Sequence, residues 1–239
     1  MKTYDKCKKK FQARQAVLYW WYQWTKTNLI PGDYWTLCGP MFTETGRFAE
    51  ADASPAELIE MYDQGRRNLS FGCELSHCLQ SGYLKAEQFH AVELDSATYE
   101  ANVRATRPLK ELPKLYHGDI VQVMQDALDS GTLRPSIVNL DTLHHPKKAM
   151  QLLGQVLDIV NQVPGKKMIA LNIILDDPYK AKRNSLAEVL AAENKIQAKL
   201  LGWTPSTEGY AYPGTGRTSI KMLTRFYFHS GGGEHVVSP

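Results

Sequence analysis

From Phe89 onward, short apolar runs alternate with longer amphipathic ones. The apolar stretches predict strands over 89–94, 115–117, 136–140 and 167–175. Between and after them, apolar residues recur at helical spacing, which predicts helices over 96–106, 120–129, 147–162 and 185–201. Gly131, Pro164-Gly165 and Gly202 supply the stops. Strands separated by helices of this length need right-handed crossovers, and therefore a parallel sheet.

The flanks follow other patterns. Residues 8–27 read as a helix that ends before Pro31-Gly32. Phe11, Leu18, Trp21 and Tyr22 share one face of it, while Tyr19, Trp20 and Trp24 spread round the rest, so the helix should be touched on more than one side. A strand is expected over 33–38, ended by Gly39-Pro40. A polar loop follows, then a capped helix start at Ser54-Pro55-Ala56-Glu57, a stop at Gly65, and a helical stretch from 72 to 81. Near the end, 208–212 and 219–228 are strand-like and joined by the turn Pro213-Gly-Thr-Gly-Arg217, which predicts an antiparallel hairpin. Leu175-Asp-Asp-Pro-Tyr179 reads as a loop with an Asp-Pro turn. The fold class is thus α/β, a mostly parallel sheet closed by a C-terminal antiparallel hairpin, with an N-terminal helix. The expected organisation is a basic aromatic arm over 1–30, a main domain over 31–230 and a flexible tail over 231–239.

Composition narrows the class. With 239 residues, 43% hydrophobic and 22% charged, the chain resembles a soluble globular protein able to bury a sizeable core. No apolar run approaches the ~20 residues of a membrane span. The Lys-rich start lacks the apolar core of a secretory signal, so a cytoplasmic protein is expected. Cys7, Cys38, Cys73 and Cys78 are too scattered for a disulfide framework, and Cys73-His77-Cys78 lacks the spacing and second pair of a structural zinc site. Buried thiols and no metal are expected.

Charge is uneven. Residues 1–26 hold seven cations against Asp5, a net of +6, leaving −3 for the remainder of a chain whose total is +3. Lys8, Lys9, Lys10 and Arg14 suit the phosphates of a nucleic acid, and the neighbouring aromatics suit stacked bases. The same aromatics also suit plain burial against the main domain. The two readings are compatible.

Three predicted strands end in acids. Val92-Glu93-Leu94-Asp95, His117-Gly118-Asp119-Ile120 and Asn139-Leu140-Asp141 stand one strand–helix unit apart. In open parallel sheets, ligands bind at the carboxyl ends of the strands. Acids there accept hydrogen bonds from ribose hydroxyls and adenine amino groups.

This arrangement, with the terminal hairpin, resembles the class I S-adenosylmethionine-dependent methyltransferases over about residues 33–229. The resemblance implies a seven-stranded Rossmann-like sheet. It implies a ribose held at Glu93, with Leu94 beside it, and adenine near Asp119 and Ile120. It implies a polar residue facing the reacting centre at Asp141. His144 and His145 lie close enough to line the same mouth. The family's Gly-x-Gly turn is represented only by Cys38, Gly39 and Pro40 after the first strand. About fifty residues then separate Gly39 from Glu93, so 43–70 is expected to be an insertion beside the cofactor. Phe71-Gly72-Cys73 is the other candidate for that turn. The Pro-Tyr signature of many amino-methylating DNA enzymes is missing after Asp141. The expected function is methyl transfer from S-adenosylmethionine, with nucleic acid as acceptor. The alternatives are a catalytically silent domain of this fold that binds nucleic acid or a partner, and a cofactor-using enzyme acting on a small molecule.

Overall fold

The computed structural model describes residues 8–37, 74–75, 78, 82–107, 111–142, 144–177, 182–206, 210–213 and 221–231. The side chains of 8–15, 105, 176–177, 182–183, 210–213 and 221 lie outside that description. In chain order the elements are α1 (Lys8–Thr25), β1 (Asp33–Leu37), β2 (Phe89–Glu93), α2 (Ser96–Thr106), β3 (Lys114–His117), α3 (Ile120–Asp129), β4 (Pro135–Leu140), α4 (Pro146–Val160) and β5 (Lys167–Asp177). They continue with β6 (Lys182–Arg183), α5 (Leu186–Asn194), β7 (Trp203–Pro205), β8 (Tyr210–Pro213) and β9 (Lys221–His229). Glu74, Leu75 and Cys78, between β1 and β2, are also helical.

All nine strands among the described residues join one sheet, with a main path β3-β2-β1-β4-β5-β9-β7; β6 pairs with β5, and β8 with β9. From β3 to β5 the pairs are parallel. β9 runs antiparallel to β5, β7 and β8. The expected parallel sheet with its closing hairpin is therefore present. β7 and β8 both line up on β9, one after the other, and form an interrupted edge strand.

Three details depart from the sequence reading. β7 was not expected, because three residues ending in proline carry almost no periodic signal. The helix expected over 185–201 ends at Asn194 and gives way to a 3₁₀ turn over Gln197–Leu200. β5 continues through Asp176 and Asp177, where it pairs antiparallel with β6, so those two acids lie in a strand and not in a loop.

Side chains alternate across the sheet and build a core on each face. One core joins Trp35, Val92, Val138, Leu140, Ile169 and Tyr227 to the apolar stripes of α3 and α4. The other joins Tyr34, Phe89, Ile137, Met168 and Phe226 to Val17, Leu18 and Trp21 of α1 and to Leu75 and Cys78. The first core is tied to α5 by a buried ion pair. Glu193 accepts from Nε of Arg225, from Nη2 at 2.9 Å, and from the Tyr227 hydroxyl at 2.9 Å.

β1 enters beside β4 through Gly32. A Cβ on Gly32 would collide with the carbonyl of Arg134, and its N–H donates to Ser136 Oγ at 2.9 Å. That close approach seats β1 in the middle of the sheet.

Candidate cofactor and acceptor site

The strand order reverses between β1 and β4, and in doubly wound sheets ligands bind beside such a switch point at the carboxyl ends of the strands. The tips of β2, β3 and β4 all lie on that edge. Gly118 adopts φ +149°, which favours glycine, and its N–H donates to the Glu93 carbonyl at 3.0 Å. This bond draws the tip of β3 to the tip of β2.

Glu93 is half-buried. Burial raises its pKa above the ordinary carboxylate value, and the hydrogen bonds from the Asp95 and Leu94 amides offset part of that rise. The Asp95 amide donates to Glu93 Oε1 at 2.8 Å. Leu94 leaves 73% of its surface in the open, unusual for an apolar side chain at a strand tip. Its carbonyl lies 3.2 Å from His117 Nε2, and the His117 ring stacks on Tyr99 at 5.4 Å.

Asp95 and Asp119 are helix caps. Asp95 accepts from the Thr98 amide at 2.8 Å and caps α2; hydrogen bonds from the Thr98 side chain and then from its amide hold the Asp95 pKa below the usual value. Asp119 accepts from the amides of Val121 at 2.8 Å and Gln122 at 3.4 Å and caps α3. Ile120 is buried in the core, so its side chain packs against the sheet. Cys38, Gly39 and Pro40 lie outside the described residues, as do Phe71, Gly72 and Cys73.

Asp141 follows β4 directly and is fixed from the side. Asn172 Nδ2, on β5, donates to Asp141 Oδ1 at 2.9 Å, and Asn172 Oδ1 accepts from Thr224 Oγ1 on β9. Thr142 Oγ1 donates to the Asn172 carbonyl at 2.9 Å. A three-strand relay thus sets the orientation of the Asp141 carboxylate. Asn172 and Thr224 are polar residues set within apolar runs, and that contrast was the sequence signal for them. Beyond Asp141, the His144 carbonyl accepts from Ile174 N at 2.9 Å, and Nδ1 of His145 lies 2.9 Å from Asn184 Nδ2.

A second polar cluster lies under the tips of β1 and β4. Glu74, buried, accepts from the Tyr34 hydroxyl, from Thr36 Oγ1 at 2.8 Å and from Asn139 Nδ2. Thr36 and Asn139 are neighbours in register. Nothing in the sequence pattern marked Glu74, because it belongs to a helix more than thirty residues from the strand it touches.

The fold is similar to that of a solved structure. A candidate SAM-dependent methyltransferase from Streptococcus mutans superimposes with a TM-score of 0.52 at 10% identity, over 90% of this chain and 48% of that one. The chain has the class I methyltransferase fold. It spans about half the length of the Streptococcus mutans protein. Looser matches include a candidate RNA methyltransferase from Pyrococcus horikoshii (TM-score 0.46, 12% identity, 92% and 85% of the two chains) and a candidate methylase from Haemophilus influenzae (0.44, 13%, 91% and 88%). No protein-family model matches the sequence, and no curated protein is significantly similar to it.

Within this methyltransferase fold, α1 lies along the sheet face. Trp24 packs on Phe228 at 5.4 Å between ring centroids, and one turn earlier Trp20 packs on Phe226 at 5.7 Å. Phe228 pairs with Met168 at the start of β5, and Phe226 with Ala170 further up. Followed backwards from Thr25, the helix therefore climbs toward the strand tips. Lys8, Lys9, Lys10 and Arg14 precede this packed stretch of α1, and their side chains lie outside the described set. No described helix is long and apolar enough to cross a membrane.

Proposed function

We propose that this chain is an S-adenosylmethionine-dependent methyltransferase acting on nucleic acid. The observation that carries the reading is the grouping of Glu93, Leu94 and an oriented Asp141 along one edge of the switch point. The residues present suit the cofactor. A carboxylate at the tip of β2 accepts hydrogen bonds from vicinal ribose hydroxyls, and the open face of Leu94 offers apolar area to a purine. Asp119, tied to its helix amides, helps to shape the adenine end, with Ile120 behind it as core. When bound, the cofactor supplies an electrophilic methyl group on sulfonium.

The chain's own contribution is placement. Asp141, held by Asn172, accepts a hydrogen bond from the incoming nucleophile and sets the direction of its lone pair. It is also placed to take up the proton that the nucleophile loses. The relay through Thr224 keeps the carboxylate from swinging toward water. The cations at the start of α1 bind phosphates next to this edge, and counterion release makes that binding salt-dependent.

The test is transfer of labelled methyl from S-adenosylmethionine to RNA and to DNA. Label is expected in one of the two polymers, with Asp141→Ala lowering kcat at least tenfold while changing cofactor affinity less than twofold. Nucleic-acid binding without any transfer or cofactor binding would instead favour a silent binding domain. Transfer only to a small molecule would remove the nucleic-acid claim.

A further inference from the structure

The outward face of α1 carries rings that neither core uses. Trp21 is buried, and Trp20 and Trp24 lie against Phe226 and Phe228, so the indoles are taken up by the packing of the helix on the sheet. Tyr19 and Tyr22 are left at the surface, 55% and 40% exposed. Tyr19 meets Trp20 at 76° with 6.1 Å between ring centroids, an edge-on contact that leaves at least one face of its ring open. Positions three apart on a helix are neighbours, with Cβ atoms about 5–6 Å apart. Tyr83 adjoins the pair. Burial, and then the Tyr22 hydroxyl beside it, push the Tyr83 phenol above the ordinary tyrosine range. A lone surface aromatic needs no explanation, whereas a contiguous group of them marks a binding surface.

The charge around these rings has one sign. α1 holds Lys8, Lys9, Lys10 and Arg14 and no acid among its 18 residues. At 3.6 residues per turn, the position of Lys8 falls on the same side of the helix as Tyr19 and Tyr22. Just past the helix, Lys26 donates to Gln23 Oε1 at 3.3 Å and makes no ion pair among the described residues. A partner for rings set between cations must be anionic along its length and must offer flat faces a few ångströms apart. An acidic peptide meets only the first demand. A double helix is anionic but keeps its base faces stacked on one another. An unpaired nucleic-acid strand meets both, with phosphates for the cations and open base faces for the phenols.

We propose that the outward face of α1 is a stacking platform for an unpaired stretch of the nucleic-acid acceptor, with Tyr19 and Tyr22 each carrying a base and the cations of α1 and Lys26 meeting the flanking phosphates. This rests on the nucleic-acid reading above and narrows it to single strands and loops. Stacking tolerates every base, so the platform selects an open strand and not a sequence. Tyr19 and Tyr22 are binding residues here, not participants in methyl transfer.

The experiment is binding of the intact chain to labelled nucleic acid, read by fluorescence anisotropy at several salt concentrations. The single strands are oligouridylate and oligodeoxythymidylate, which do not pair with themselves. Each is compared with its duplex and with an abasic strand carrying the same number of phosphates. The wild type should bind at least one of the single strands about tenfold or more tightly than the matching duplex and abasic strand, the gain expected from two stacked bases. Tyr19→Ala and Tyr22→Ala should each weaken that single strand about fivefold or more and leave the abasic strand within about twofold of wild type. Tyr19→Phe and Tyr22→Phe keep the ring and should bind within about twofold of wild type. The slope of log affinity against log salt should not change in the alanine variants, because the phosphate contacts remain.

Wild-type protein that binds duplex as tightly as single strand overturns the platform while the nucleic-acid reading stands, and that comparison needs no variant. Alanine variants that bind like wild type, or that lose the abasic strand by the same factor as the intact one, overturn it as well. A wild type that binds none of these polymers removes the nucleic-acid reading itself, and this proposal with it.

Discussion

Asp95 and Asp119 each sit at the start of a helix and each accept hydrogen bonds from its first amides. Glu93 differs, because it precedes them on the strand and is half-buried with a raised pKa. Burial makes its ionised form costly in the free protein, which is acceptable where a ligand later supplies donors. The sign follows from linkage. A carboxyl group whose folded pKa lies above its unfolded value destabilises the fold as pH rises through that interval. Glu93→Gln should therefore raise the melting temperature of the ligand-free protein at pH 7, and the gain should vanish by about pH 4, where both states of Glu93 bind a proton. The same substitution should weaken S-adenosylhomocysteine. A variant that melts lower than wild type at pH 7 would show that Glu93 is structural. At this scale the sequence made Glu93, Asp119 and Asp141 visible as acids after apolar runs, but it could not tell a cap from a ligand-facing group. That distinction depends on which amides a carboxylate reaches, and Glu74 escaped because its partners are distant in the chain.

At the scale of elements, α1 is part of the fold and not a removable arm. Trp21 is buried with Val17 and Leu18 in the second core, and its indole N–H donates to the Leu29 carbonyl at 3.1 Å. Trp21→Ala should cost about 3–5 kcal/mol, enough to unfold most of a marginally stable domain, measurable as loss of the cooperative melt. Replacing Lys8, Lys9 and Lys10 together by Glu should leave that melt unchanged. If the proposed phosphate contacts exist, the triple variant should bind RNA or DNA more weakly, and the slope of log affinity against log salt should fall by about 2–3. An unchanged slope would separate the basic turn from nucleic acid. Most elements were legible because their periodicity was long and punctuated: α2 and α3 span the predicted residues, and β2, β4 and β9 differ by one or two at their ends. β6 and β7 were not, since strands of two and three residues are made by pairing with β5 and β9 and not by their own pattern. Tyr22, expected on the packed face of α1, is 40% exposed, while Trp20 and Trp24 meet the sheet through Phe226 and Phe228. Leu18 and Trp21 of that face are buried, so the helix is touched on more than one side, as aromatics placed all round it imply.

For the whole molecule, the parallel β3-β2-β1-β4-β5 portion places its carboxyl ends on one edge, and β9 closes the sheet from the other direction. That topology brings three separated sequence segments to one rim, with Asn172 of β5 holding Asp141. It was legible as alternation of strand and helix, whereas the segment between β1 and β2 obeys no such alternation and leaves the first turn of the family pattern unresolved in sequence. The central claim is that this rim binds an adenosyl cofactor. Calorimetric titration of the intact chain with S-adenosylhomocysteine tests it most directly. The account predicts saturable heat at one site per chain, reduced at least tenfold in affinity by Glu93→Ala. Absence of heat from folded wild-type protein, or equal binding by the Glu93→Ala variant, would contradict it.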